Sequence, residues 1–133
     1  MRLFDSFGTS SFIQQFIRSD GQVLDDVTGR TSSRNLGYTL LRAALENDQV
    51  TFDRVLEWTI RNQQNPLSGV FYSQTQSVDN VVTVLDQSSS SEADQLIAYA
   101  LLVAHDSWPT AKYDEFAKQV AGSIWQSETL TLS

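Results

Sequence analysis

The sequence predicts an all-α protein of antiparallel helical hairpins, about five helices plus one long loop. Apolar residues recur at i, i+3 and i+4 along several stretches, the signature of helices with one buried face. The second and third of these helices are joined by only a few residues, which folds them back on each other. The chain also echoes itself. A shift of 61 residues lays Val23-Leu24-Asp25 on Val84-Leu85-Asp86, Tyr38 on Tyr99, Leu40-Leu41 on Leu101-Leu102, Ala43 on Ala104 and Phe52-Asp53 on Tyr113-Asp114, with no gap. An extended approach, a helix, a tight turn and a return helix form the repeating unit of helical-hairpin arrays.

Each element has its own signal. Phe12, Ile13, Phe16 and Ile17 form two i,i+4 apolar pairs behind Thr9 and Ser10, predicting a short first helix that ends near Asp20-Gly21. Gln22 to Ser32 reads as loop. Ser33 is placed to cap a second helix with Leu36, Leu40, Leu41, Ala44 and Leu45 on its apolar face, stopped by Asn47-Asp48. Thr51 is placed to cap a third, carrying Phe52, Val55, Leu56 and Ile60 and ending before Asn65-Pro66.

Residues 66–91 are the least helical, with Pro66, Ser68-Gly69, β-prone Val70-Phe71-Tyr72 and Val81–Val84, and a serine run. They read as one long loop of the kind that carries function. Ser89 and Glu92 have capping-box spacing for a fourth helix to about Ser107, apolar over more than half its circumference. After Trp108-Pro109-Thr110, a fifth carries Tyr113, Phe116, Ala117, Val120, Ile124 and Trp125, and the tail from Thr129 reads as frayed or extended. The whole is one domain over residues 1–133: a first hairpin region at 9–62, the loop at 63–91 and a second hairpin at 92–126.

Composition narrows the function. A chain of 133 residues, 41% hydrophobic and 19% charged, suits a single folded domain rather than a disordered segment. A net charge of −7 with scattered basic residues argues against nucleic acid, which needs clustered Lys and Arg, and leaves neutral polymers such as glycans compatible. No apolar run approaches the ~20 residues of a membrane helix. The absence of cysteine excludes thiolate chemistry and disulfides. His105 is the single histidine, and Asp25-Asp26 and Asp114-Glu115 show no metal-ligand spacing, so no cofactor is expected. Met1 to Asp5 carries no signal-peptide apolar region, and the compartment stays open.

Two motifs carry chemistry. From Ser91 onward, Ala93, Asp94, Ile97, Ala98, Ala100, Leu101, Leu102, Ala104 and Trp108 are spaced as in the signature of glycoside hydrolase family eight, with Ser90 in place of its alanine and Glu92 in place of its first aspartate. Asp20 to Asp25 resembles that family's approach strand, and Asn47 to Thr59 its return helix. Gly37-Tyr38 fits the end of a motif that runs Ser, Glu, Gly, Gln, Gly/Ser, Tyr in active members. The chain thus resembles this family of bacterial endoglucanases, chitosanases and xylanases from about Phe12 to Trp125.

The resemblance implies part of an (α/α)6 toroid, whose members close twelve helices and are usually secreted or periplasmic. It also marks a departure. The family's general acid falls on Arg34, and the next two motif residues on Asn35 and Leu36. Inverting hydrolysis needs a carboxylic acid to protonate the leaving oxygen and a carboxylate ~6.5–9.5 Å away to activate water. A guanidinium with a pKa above ~12 cannot donate that proton near neutrality. The family's general base lies further downstream than residue 133.

The resemblance gives Glu92 and Asp94 as sugar contacts, with N-terminal helix charge as the structural alternative, and Tyr38 as part of the same motif. Phe71 and Tyr72, in the long loop, are the candidates for stacking on sugar rings. Arg34 is expected either to lie on the surface or to pair with Glu92 across the two hairpins. Three readings follow: a family-eight-like domain without hydrolysis that binds a β-linked glycan or assists polysaccharide metabolism, an interaction domain whose helix faces dock on a partner protein or a second copy, or an active endoglucanase-like hydrolase that uses an unrelated acid.

Overall fold

The computed structural model describes residues 16–109 and 111–132. In chain order these form strand β1 (Arg30–Ser32), helices α1 (Ser33–Leu45) and α2 (Gln49–Asn62), strands β2 (Gln74–Val78) and β3 (Val81–Asp86), and helices α3 (Ser91–Ser107) and α4 (Ala111–Leu132). The expected hairpin architecture is present, with a small sheet added to it. The helix expected around Phe12 and Ile13 lies mostly outside the described residues. Its far end does not reach Asp20 as a helix: Ile17 bridges Val23 antiparallel, and the Leu24 N–H donates to the Phe16 carbonyl at 2.8 Å. The chain turns at Gly21, with φ of 99° and the Arg54 carbonyl oxygen 2.2 Å from where a Cβ would sit. Only glycine fits there.

The helix starts fall close to the expected residues, but the capping side chains differ. Ser32, not Ser33, accepts the Asn35 N–H at 3.1 Å, while Ser33 is buried and its own N–H donates to the Ser73 carbonyl. Asp48, not Thr51, caps α2: Thr51 gives it both its N–H at 3.1 Å and its hydroxyl at 2.8 Å. Ser90, not Ser89, caps α3 by accepting from the Ala93 N–H. The α1–α2 corner explains the tightness of the first hairpin. Asn47, at φ of 60°, donates its N–H to Ala44, and Asp48 donates to Ala43. This Schellman pattern ends one helix while Asp48 starts the next. At the other end of the chain α4 continues through Leu132, past the fraying expected at Thr129.

Three contacts set how the hairpins meet. Arg34 reaches Glu92, Gly37 lies against Leu96, and Asn47 accepts the Trp108 indole N–H at 2.9 Å. Rising residue numbers on α1 therefore meet rising numbers on α3, so the two helices run parallel, each backed by its return helix. The core between them is apolar and closed: Leu36, Leu40, Phe52, Val55, Ile97 and Leu101 are all fully buried. Phe52 makes edge-to-face contacts with Trp108 and Tyr113, at 5.7 and 5.4 Å between centroids. Several repeat-related positions behave alike, although Leu102 is half exposed where Leu41 is partly buried. Leu40 and Leu101, Ala43 and Ala104, and Phe52 and Tyr113 are all core residues.

The expectation of one long loop at 63–91 needs correction. Thr75 to Val78 pairs with Val81 to Val84 as an antiparallel hairpin, and β1 adds to its other edge. Asp79 and Asn80, both at positive φ, supply the two-residue turn. A buried polar cluster ties the sheet to the helices. The Gln63 amide donates to the Tyr72 and Thr31 carbonyls and accepts the Thr75 hydroxyl, while the Gln22 amide donates to the Thr31 hydroxyl.

Two predictions follow for this framework. Asn47→Ala loses both the turn residue and the Trp108 bond and is expected to cost about 1–2 kcal/mol in urea unfolding. Asn47→Gly keeps the turn and should fall between that variant and the native protein. Separately, burial and the hydrogen bond to Asp53 push the Tyr113 hydroxyl up to about 12, against a smaller opposing effect of Gln49. The folded state holds this proton more tightly than the unfolded chain, where tyrosine titrates at about 10. The contribution of Tyr113 to stability is thus intact below pH about 10 and is lost as pH rises towards about 12. Ultraviolet titration should show the Tyr113 phenol ionising at pH about 12.

Candidate functional site

Parallel packing brings the N-terminal ends of α1 and α3 side by side, and the residues singled out in both motifs lie there. The Arg34 guanidinium sits 3.6 Å from the Glu92 carboxylate, with side chains 65% and 74% exposed. Its Cζ lies 5.9 Å from the centroid of the Tyr38 ring, which is 50% exposed. Of the two positions expected for Arg34, surface or paired with Glu92, the structure combines both. The hydrogen bond with Tyr38, then the charge of Glu92, hold the guanidinium above its ordinary range. It stays a permanent cation.

The loop before α1 braces this edge. Asp25 accepts from the Asn35 amide at 2.8 Å and from the Ser32 hydroxyl at 3.5 Å. Neither Asp25 nor Asn35 was expected at the site. Their ten-residue separation gives no periodic signal, though Asp25 belongs to the approach segment of the repeat.

The other candidates are placed differently. Asp94 lies one helical step inward from Glu92, is fully buried, and accepts the Phe71 N–H at 3.3 Å. Phe71 is 1% exposed and belongs to the core cluster, so it presents no ring face to a sugar. The geometry corrects both assignments as open contact residues: burial makes them a helix-to-loop fastening. Tyr72 is half-buried at the rim, its backbone bound on both sides by Gln63. Arg34, Tyr38 and Glu92 are therefore brought together, whereas Asp94 and Phe71 form a separate buried pair. On the solvent side of α3, Tyr99 is 56% exposed.

Parallel helices side by side, each backed by an antiparallel return helix and carrying polar residues at its N-terminal end, define a segment of an α/α toroid. The chain belongs to the glycosyl hydrolases family 8, whose profile matches residues 8–131. Its relatives include an endoglucanase of Xanthomonas axonopodis pv. citri (strain 306), 32% identical over 128 residues, covering 92% of this chain and 33% of the relative. An endoglucanase of Escherichia coli (strain K12) is 27% identical over 129 residues, covering 91% and 34%. Among solved structures, the family 8 endoglucanase Cel10 of Klebsiella pneumoniae superposes with a TM-score of 0.80 at 26% identity, covering 89% of this chain and 38% of that one. An endo-β-1,4-glucanase from an Achatina fulica gut metagenomic library gives 0.81 at 27%, covering 92% and 39%. The chain spans about a third of the length of the curated relatives it matches. The structural neighbours are (α/α)6 barrels, and the chain forms a part of such a toroid.

The two acidic residues at the start of α3 should separate by measurement. Asp94→Ala leaves the buried Phe71 N–H without its acceptor and is expected to cost about 1–3 kcal/mol in urea unfolding. Arg34→Ala and Glu92→Ala, at exposed positions, should leave the urea midpoint in place.

Proposed function

We propose that this chain is an endoglucanase-like family 8 domain that binds a β-linked glycan weakly and does not hydrolyse it. The observation that carries the reading is the Arg34–Glu92 pair: the motif resemblance puts the family's general acid at position 34, and the guanidinium found there lies 3.6 Å from the Glu92 carboxylate. Protonation of a glycosidic oxygen requires a group that can release a proton near neutrality, and Arg34 has none to give. What remains suits recognition. Tyr38 offers an exposed ring, and Glu92 a carboxylate able to accept sugar hydroxyls. The endoglucanase names of the relatives support a β-glucan as the first ligand to test.

A second reading, docking on a partner protein or a second copy, rests on the exposed Leu45, Leu102 and Trp125. Light scattering separates the two, since that reading requires a species larger than the monomer.

On the leading reading, incubation with soluble β-glucan releases no reducing ends above the protein-free control. Titration with cello-, xylo- or chito-oligosaccharides at millimolar concentration shifts the resonances of Glu92 and Tyr38 and leaves those of buried Phe71 in place. Enzyme-like turnover, abolished by Glu92→Gln, would overturn the loss of hydrolysis. Silence of Glu92 and Tyr38 would overturn glycan binding.

A further inference from the structure

The three-stranded sheet is fastened to the helices by hydrogen bonds more than by apolar packing. The strand residues it buries completely are Thr31 and Thr75, whereas Val82 and Val84 are partly buried and Val78, Val81 and Leu85 are exposed. Polar ties hold the β2–β3 hairpin down. The Thr75 hydroxyl donates to Gln63 Oε1 at 2.8 Å, the Ser33 N–H to the Ser73 carbonyl at 3.1 Å and the Gln76 amide to the Thr28 carbonyl at 2.9 Å, while β2 pairs with Arg30, Thr31 and Ser32 of β1. The hairpin is also closed on itself, since the Ser73 N–H and hydroxyl both donate to the Ser88 carbonyl, at 2.8 and 2.7 Å. Just outside that closure the chain is anchored on both sides. Tyr72 gives its N–H to the Gln63 carbonyl and takes the Gln63 amide on its own carbonyl, Phe71 lies in the core, and Ser90 caps α3. Residues 73–88 are thus a self-closed hairpin between two fixed points. A hairpin with few buried apolar contacts belongs to the low-stability end of a fold, where it can open while the core stays shut.

We infer that residues 73–88, the β2–β3 hairpin, are a flap that opens as one unit while α1–α4 stay folded, with Gln63 as its latch and Tyr72 and Ser90 as its hinges. The flap is tied to the Arg34 edge. Its Ser73 carbonyl holds the N–H of Ser33, the first residue of α1 and the neighbour of Arg34, and β2 pairs with Ser32, whose hydroxyl caps that helix. Opening therefore releases the start of α1, where the Arg34–Glu92 pair is set. A closed flap fixes that edge and an open one frees it, whatever the edge binds.

Native-state hydrogen exchange, followed by NMR across low urea concentrations, tests this on the native chain. Amides that bond across β2 and β3, together with the Ser33 amide, should exchange as one group, at least about 10-fold faster than those of Leu40 and Leu101. Their rates should also depend less on urea, because an opening flap exposes less surface than global unfolding. Two variants separate the two kinds of opening. Val120→Ala weakens the helical core, which the flap-open form retains, so it should speed Leu40 and Leu101 and leave the hairpin unchanged. Thr75→Val removes a bond that is lost in both kinds of opening, so it should speed the hairpin and the helices alike, by about 5- to 30-fold. If hairpin and helix amides share one rate and one urea dependence, or if Val120→Ala speeds both by the same factor, the sheet opens only with the whole fold and the flap is overturned. If Ser33 exchanges with Leu40 and not with the hairpin, the link to the Arg34 edge is wrong. Should a variant fail to fold, the urea dependence of the native chain decides alone.

Discussion

Leu96 rests on Gly37. A Cβ at position 37 would stand 3.0 Å from both its Cγ and Cδ2, so the missing side chain lets α3 press against α1. Ala43, Ala93, Ala100 and Ala104 keep the cores of the same two helices small and buried. Close approach has a consequence beyond packing density. It brings the first turns of α1 and α3 near enough for Arg34 to reach Glu92, although the two residues sit on different hairpins. The Asn47–Trp108 bond fixes the opposite end of the contact and prevents the helices from sliding in register. The geometry of the site is thus inherited from a contact between apolar and small residues.

Within one turn of α3, burial separates two carboxylates into different kinds of group. Asp94 is sealed against the Phe71 backbone, where losing it exposes a buried donor to nothing. Glu92 stands in water beside Arg34, where an ion pair between long, solvated side chains contributes little to stability. Stability therefore does not explain an arginine at position 34. What it contributes at this edge is a fixed cation beside an aromatic ring and a carboxylate.

Much of this was legible in the sequence, for physical reasons that differ by element. Leu36, Leu40, Val55, Ile97 and Leu101 announced their helices because a single buried face imposes its period on the residues. The caps were displaced by one to three residues because Ser32-Ser33, Asp48 with Thr51, and the serines before Glu92 each offer several side chains able to accept the same N–H. The β2–β3 hairpin was missed because Asp79-Asn80 lacks the glycine that usually marks such a turn. Phe71 was misplaced for a related reason. A loop residue has no period to report its burial, and only the partner it contacts, Asp94, reveals it. The pairing of Arg34 with Glu92 was foreseeable once both motifs were assigned to helix starts on neighbouring hairpins.

The internal repeat divides the chain by role. Leu40 with Leu101 and Ala43 with Ala104 obey it and form scaffold, since two hairpins with the same fold need the same buried surfaces. The charged pair breaks it: a shift of 61 residues takes Arg34 to Gln95 and brings Thr31 to Glu92. Symmetry in the framework thus carries asymmetry in the charge, placed at the helix ends where a side chain can change without disturbing the core.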